Sequence, residues 1–190
     1  MGSEVGIAIL TGGLSKRMGT AKENLEICIG GEKTTFLEHL CKEFSGFEHK
    51  YLSVNRSQSI CIPGYVLIKD EYDEIGPVGG IYSVLKRADV DALLIVACDM
   101  PRFSKEAAEY FILNWDGKST CIATLDGRRE PLAGIYAKSA LPFLEEQIRR
   151  QEYKVGLLHE RIGSRLIDMS DYREAFTNIN TMSEYTELSS

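Results

Sequence analysis

Residues 5–22 read VGIAILTGGLSKRMGTAK, and the change of character along this stretch decides the fold class. It opens on Val5-Gly6-Ile7-Ala8-Ile9-Leu10, an apolar run with β-branched residues. Such a run is too short to span a membrane and suits a strand buried on both faces of a sheet. It stops at Thr11-Gly12-Gly13, where paired glycines free the backbone to take positive φ and to approach another molecule closely. The basic residues Lys16, Arg17 and Lys22 follow. A buried strand that breaks into Gly-Gly and then into cations has the layout of a nucleotide-phosphate loop. Bare N–H groups cradle phosphate oxygens, and cationic side chains offset the remaining charge. Neither G-x-x-x-x-G-K-[ST] nor G-x-G-x-x-G is present, so the common ATPase and dinucleotide-binding spellings do not apply.

Outward from this stretch, apolar runs alternate with helical patterns. Leu25–Ile29 is short and apolar, and Gly30-Gly31-Glu32-Lys33 turns the chain. Thr34 or Thr35 can cap a helix reaching about Cys41, with Glu38 in its first turn. Strands are expected at Lys50–Asn55 and Tyr65–Ile68, the second ending at Lys69-Asp70. Glu71–Gly80, EYDEIGPVGG, is acidic at the front and glycine-rich at the back, with a helical pattern beginning at Tyr82. Ala92–Ala97 is the most apolar run and belongs at the centre of the sheet; it ends in Cys98-Asp99-Met100-Pro101. Ser104 caps a helix to about Trp115. Thr120–Thr124 and Glu130–Tyr136 form a hairpin around Asp126-Gly127. Helices follow at about Ala140–Arg150 and Lys154–Arg161, then a strand at Leu166–Asp168, a loop at Asn178–Thr181 and a short helix at Ser183–Leu188. This alternation predicts a single-domain α/β fold, a mainly parallel sheet flanked by helices with an antiparallel addition.

Composition narrows the function. The chain has 190 residues, 44% hydrophobic and 26% charged, as expected of one soluble globular domain with a well-sized core. No apolar stretch approaches a spanning helix and no secretory signal opens the chain, so a cytoplasmic protein away from membranes is expected. A net charge of −6 argues against a nucleic-acid partner. An anionic substrate must then be held by a local cluster of cations. Cys28, Cys41, Cys61, Cys98 and Cys121 are scattered, with no C-x-x-C, and read as reduced; four of the five lie in or beside apolar segments, where a buried thiol is expected.

In a doubly wound sheet ligands sit beyond the carboxyl ends of the strands. Four of the expected strands end in polar residues: Thr11-Gly12-Gly13, Asn55, Asp70 and Asp99. Asp99 lies just beyond the most apolar run, where rigid structure meets solvent. A carboxylate there suits Mg²⁺, which takes hard oxygen ligands; a turn Asp before Pro101 accounts for it equally well. Asn55 as an Asx turn and Asp70 as a solvated loop carboxylate are the corresponding bland readings.

The spelling Leu10-Thr11-Gly12-Gly13-x-x-x-Arg17-Met18-Gly19-x-x-Lys22 closely resembles the L-A-G-G-x-x-x-R-M-G-x-D-K loop of the molybdenum cofactor guanylyltransferases. Cys98-Asp99-Met100-Pro101, Gly76-Pro77-Val78-Gly79-Gly80-Ile81, Glu130-Pro131-Leu132 with Tyr136, and Asn178-Ile179-Asn180-Thr181 resemble further motifs of that family, in the same order. The resemblance implies a Rossmann-like nucleotidyltransferase that joins GMP from GTP to molybdopterin and releases pyrophosphate. It implies that Leu10, Thr11, Gly12, Gly13, Lys22, Asn55, Asp70 and Asp99 surround GTP. Asp99 also binds Mg²⁺, Arg17 and Lys22 act on the triphosphate, and Asn178 and Asn180 face the pterin. Molybdoenzymes or cofactor-delivery proteins are the implied downstream partners. The chain departs from the pattern at Thr11 for Ala, at Ala21 for the Asp before the lysine, at Tyr153-Lys154 for an Arg-containing pair, and at Met182-Ser183 for Pro-Glu. Two other readings stay open. One keeps the fold and changes the substrate, as a cytidylyltransferase of the same cofactor or a sugar-phosphate nucleotidyltransferase. The other is a non-catalytic nucleotide-binding accessory protein, which Ala21 keeps alive and the joint presence of Lys22 and Asp99 opposes.

Overall fold

The computed structural model describes residues 4–11, 25–29, 32–58, 60–179 and 184–185. The elements follow in the order β1 (Val5–Leu10), β2 (Glu26–Ile29), β3 (Glu32–Thr35), α1 (Phe36–Glu43), β4 (Lys50–Val54), β5 (Val66–Lys69), α2 (Pro77–Arg87) and β6 (Ala92–Ala97). Then come α3 (Lys105–Leu113), β7 (Cys121–Leu125), β8 (Arg128–Ala137), α4 (Leu141–Arg149), α5 (Val155–Ile162) and β9 (Arg165–Asp168).

Seven strands form one sheet in the order β5-β4-β1-β6-β8-β7-β9. β1 pairs in parallel with both β4 and β6, with Ile7 opposite Lys50 on one side and Leu94 on the other. β5 extends the parallel run beside β4. β8 runs antiparallel between β6 and β7, and β9 pairs in parallel with β7. The expected mixed architecture is therefore the observed one, with β8 as the reversed strand. A separate hairpin of β2 and β3 leads into α1.

The period of two along the central strands sorts their side chains into two layers. Ile7, Ile9, Leu94 and Val96 share a core with Leu40 of α1 and Phe44 that caps it, with Phe111 of α3, and with Phe103 and Phe176. Ala8, Leu10, Leu93 and Ile95 face the other way, onto Ile81 and Leu85 of α2, Leu144 of α4 and Leu158 of α5. Because both faces are covered, β6 is buried at every residue, which is why it reads as an unbroken apolar run. α1 starts where its caps dictate: the Thr35 hydroxyl accepts from the Glu38 N–H at 3.2 Å, and the Glu38 carboxylate accepts from the Thr35 N–H at 3.0 Å. No helix among the described residues is long and apolar enough to cross a membrane.

Three expectations need correction. The helix expected to begin near Tyr82 begins at Pro77, so Gly79 and Gly80 lie within α2. Pro77 occupies the first helical position, where its missing N–H costs nothing. Cys28 and Cys61 are exposed; only Cys41, Cys98 and Cys121 are buried. In β2 alternation turns Ile27 inward, and Cys28 therefore points outward. Glu32 and Lys33, expected in a turn, open β3. Of the short helix expected at 183–188, Glu184 and Tyr185 alone are among the described residues.

One irregularity shapes β8. Ile122 of β7 lies opposite Gly134, but the next residue, Ala123, lies opposite Glu130, so Pro131, Leu132 and Ala133 bulge out of the pairing with β7. Gly134 is where the bulge closes, and a Cβ there would stand 2.5 Å from the Cys121 carbonyl oxygen and 2.9 Å from Ile122 Cγ2. Neither neighbour can retreat within a paired strand. Gly134→Ala should therefore lower stability by about 1–3 kcal/mol, read from the midpoint of urea unfolding. An unchanged midpoint would contradict the close approach of β7 and β8.

Candidate active site

The parallel run β5-β4-β1-β6 brings its carboxyl ends to one rim. Leu10 is the last residue of β1, and Thr11 follows it, buried. The Thr11 N–H and hydroxyl both donate to the Ser53 carbonyl, at 3.0 and 2.7 Å, joining the ends of β1 and β4. On the other side the Cys98 N–H donates to the Leu10 carbonyl at 3.0 Å and carries the connection to the end of β6. The phosphate-loop residues Gly12, Gly13, Arg17 and Lys22 lie outside the described residues, as does Asn180.

Asn55 follows β4 as an Asx turn. Its Oδ1 accepts from the Ser57 N–H at 3.0 Å, the Ser57 hydroxyl at 2.7 Å and the Gln58 N–H at 2.9 Å. With the side-chain oxygen committed to the turn, any ligand contact by Asn55 falls to its amide group, a donor. Arg56 next to it clasps the neighbouring strand end. Its Nε donates to the Asp70 carbonyl at 3.3 Å, its Nη2 donates to the Glu71 carbonyl, and its Nη1 pairs with Asp73 at 3.3 Å.

Asp70 follows β5 and is half-buried. Burial raises its pKa, the Ser53 hydroxyl donating to Oδ1 at 2.7 Å opposes that rise, and the nearby Asp73 charge adds to it. α2 closes on this corner. A Cβ at Gly80 would lie 2.8 Å from Ser53 Oγ and 3.7 Å from Asp70 Oδ1, so a bare backbone lets the helix come this near. The Ser83 hydroxyl accepts from the Glu71 N–H at 2.9 Å and donates to the Gly79 carbonyl at 2.7 Å, pinning the loop after Asp70 to the helix. Glu71 itself pairs with Lys86 at 2.9 Å and Arg87 at 3.3 Å, and the Lys86 hydrogen bond holds its carboxyl below the ordinary range.

Asp99 sits two residues beyond β6, half-buried. Its carbonyl accepts from the Ile179 N–H at 2.9 Å. Ile179 is buried in a cluster with Leu25, Ile27 and Phe36, so the segment carrying Asn178 is latched beside Asp99 and to the β2 hairpin. The donor chemistry fits a divalent cation. Asp99 offers a hard carboxylate oxygen at a rigid strand end.

Leu10, Thr11, Asn55, Asp70 and Asp99 thus gather along one edge of the sheet, with Asn178 joined to it through Ile179. Sequence reasoning missed Ser53, Arg56 and Ile179, which hold the edge together. The available signal was a serine within the otherwise apolar end of β4; it is buried at 1% exposure. Removing its hydroxyl isolates its effect. In Ser53→Ala the Asp70 carboxyl should titrate at higher pH than in the unaltered protein, because a donor to the ionised form is lost while burial remains. A ¹³C NMR titration reads this directly; an unmoved or lowered midpoint would contradict the contact.

The chain matches the family described as the MobA-like NTP transferase domain over residues 7–164. It is 29% identical over 189 residues to a probable molybdenum cofactor guanylyltransferase of Clostridium perfringens strain SM101, covering 95% of this chain and 94% of that one. It is also 29% identical over 183 residues to the molybdenum cofactor guanylyltransferase of Vibrio parahaemolyticus, covering 95% and 92%. Its fold matches the crystal structure of molybdopterin-guanine dinucleotide biosynthesis protein A from Archaeoglobus fulgidus with a TM-score of 0.78 and 24% identity, over 98% of this chain and 96% of that one. Nucleotidyltransferases of this kind generally use a divalent metal. With the parallel sheet, the glycine-broken β1 and the polar strand ends in hand, the chain belongs to the MobA-like NTP transferase family.

Proposed function

We propose that this protein is a molybdenum cofactor guanylyltransferase, transferring GMP from GTP to molybdopterin with release of pyrophosphate. The observation that carries the reading is the convergence of Thr11, Asn55, Asp70 and Asp99 on the carboxyl edge of four parallel strands, in a chain whose relatives bear that name. Residues 1–190 form one nucleotidyltransferase domain that works in the cytoplasm on GTP and molybdopterin. The relatives' names do not favour the cytidylyl or sugar-phosphate alternatives.

In this reading Leu10, Thr11, Gly12 and Gly13 line the nucleotide, and Arg17 and Lys22 meet its phosphates. Guanine presents N1–H and N2–H₂ donors and an O6 acceptor. The Asp70 carboxylate accepts from the donors, and the Asn55 amide group donates to an acceptor. Asn178 and Asn180 face the pterin. Mg²⁺ held by Asp99 would supply charge neutralisation of the phosphates when bound.

The terminal phosphate of molybdopterin attacks the α-phosphorus of GTP in line with the departing pyrophosphate. A phosphate monoester is already ionised near neutral pH, so no general base is required, and the residues' work is alignment and charge offset. Lys22 and Arg17 stabilise charge as it moves onto the leaving group.

Asp99→Asn tests this arrangement on one residue. Asn keeps the volume and can still form a turn, but lacks the charge that a divalent cation seeks. The variant should fold with a near-normal melting temperature and lose guanylyl transfer by roughly a hundredfold or more. The Mg²⁺-dependent part of GTP binding should go with it. Near-normal transfer with an unchanged metal requirement would remove Asp99 from the chemistry.

A further inference from the structure

A buried polar chain beneath β8 takes no part in the chemistry described above. Tyr136, on β8, is fully buried, and its hydroxyl contacts both the Pro131 carbonyl and His159 Nε2, the latter at 3.0 Å. His159, on α5, is 3% exposed, and its Nδ1 lies 2.9 Å from the Ser164 hydroxyl. The donors can be assigned by counting protons. The Pro131 carbonyl only accepts, so the single phenolic proton of Tyr136 goes to it. Tyr136 must then accept from His159, which puts the imidazole proton on Nε2. Nδ1 is left as the acceptor for the Ser164 hydroxyl. Burial pushes the pKa of His159 down to about 4, with the Arg129 charge adding to that fall against the opposing Pro131 carbonyl, so the ring is neutral at physiological pH.

The far end of this chain is the bulge. The pairing of β6 with β8 ends at Ile95 opposite Gly134. Ala133, Leu132 and Pro131 therefore leave that pairing at the carboxyl end of β6, the end that Asp99 follows. Leu132 contacts the cores on both faces of the sheet, as a residue at the sheet's end does. The residues read as nucleotide contacts follow β1, β4 and β5, on one side of β6; the bulge lies on the other. In a two-substrate transfer centred on Asp99, that second side is the one open to the acceptor.

We propose that Tyr136, His159 and Ser164 are positioning residues for the acceptor substrate, fixing the Pro131 carbonyl so that the Pro131–Ala133 bulge forms a wall of the acceptor half of the site. This rests on the guanylyltransferase reading. The bulge has left the β7 ladder, and only a rigid support keeps such a segment aligned with a reacting centre. A fully satisfied buried network supplies that rigidity, and loss of one member frees the others.

The test compares Tyr136→Phe, His159→Leu and His159→Gln in the full-length chain. Gln can still donate an amide N–H to Tyr136, whereas Leu cannot. Tyr136→Phe and His159→Leu should raise KM for molybdopterin by roughly tenfold or more while leaving KM for GTP unchanged. Both should speed amide exchange at Leu132 and Ala133 by about tenfold, as expected for one lost buried hydrogen bond. His159→Gln should stay near the unaltered protein on both measures. Equal changes in the two KM values, exchange rising throughout β6 and β7, or exchange unmoved at the bulge would each overturn the proposal. Should the unaltered protein transfer no GMP, the guanylyltransferase reading falls, and the exchange rates alone decide whether this chain holds the bulge.

Discussion

The structure depends on how β1 is held at its carboxyl end. β1 is hydrogen-bonded on both sides along its length, and at its end the Thr11 N–H and hydroxyl take the Ser53 carbonyl while the Leu10 carbonyl takes the Cys98 N–H. Three strand ends are thereby fixed at one level. Each polar residue just beyond them inherits a position set by backbone pairing. A site built on strand ends is stiffer than one built on loops alone, which is what alignment of two anionic reactants requires.

From that constraint the edge divides in two. On the β4 and β5 side, Ser53, Arg56 and Ser83 tie the turns after Asn55 and Asp70 to each other and to α2. On the far side of Asp99, the Ile179 latch and the β8 bulge provide the other wall. The supports differ in kind. The first joins exposed charged groups to buried hydroxyls; the second combines an apolar cluster with a buried network. The overall charge of −6 repels anions, so in the proposed reading local donors must hold the anionic substrates.

Much of this was legible in the sequence, for identifiable reasons. The buried strands announced themselves because a sheet covered on both faces demands unbroken apolar runs, as in Ala92–Ala97. The polar ends of β1, β4, β5 and β6 pointed to one edge because parallel pairing leaves no other geometry. Where reading failed, the deciding fact was tertiary. Gly79 and Gly80 look like loop residues, yet they are helical because α2 must press close to Ser53 and Ile75. Cys28 sits in an apolar segment, but pleating turns it outward. The Asx turn at Asn55 was one of two open readings; the geometry adopts it and leaves the side-chain amide group for a ligand. The bulge before Gly134 and the Tyr136–His159 contact had no local signal, since both arise from partners distant in sequence.

The central claim is that this edge carries out guanylyl transfer. Its most direct measurement is pyrophosphate release by the purified protein with Mg²⁺, comparing GTP with CTP in the presence and absence of molybdopterin. The account predicts release from GTP that depends on molybdopterin, with little from CTP. Release that favours CTP, that ignores molybdopterin, or that fails with every nucleotide would contradict it.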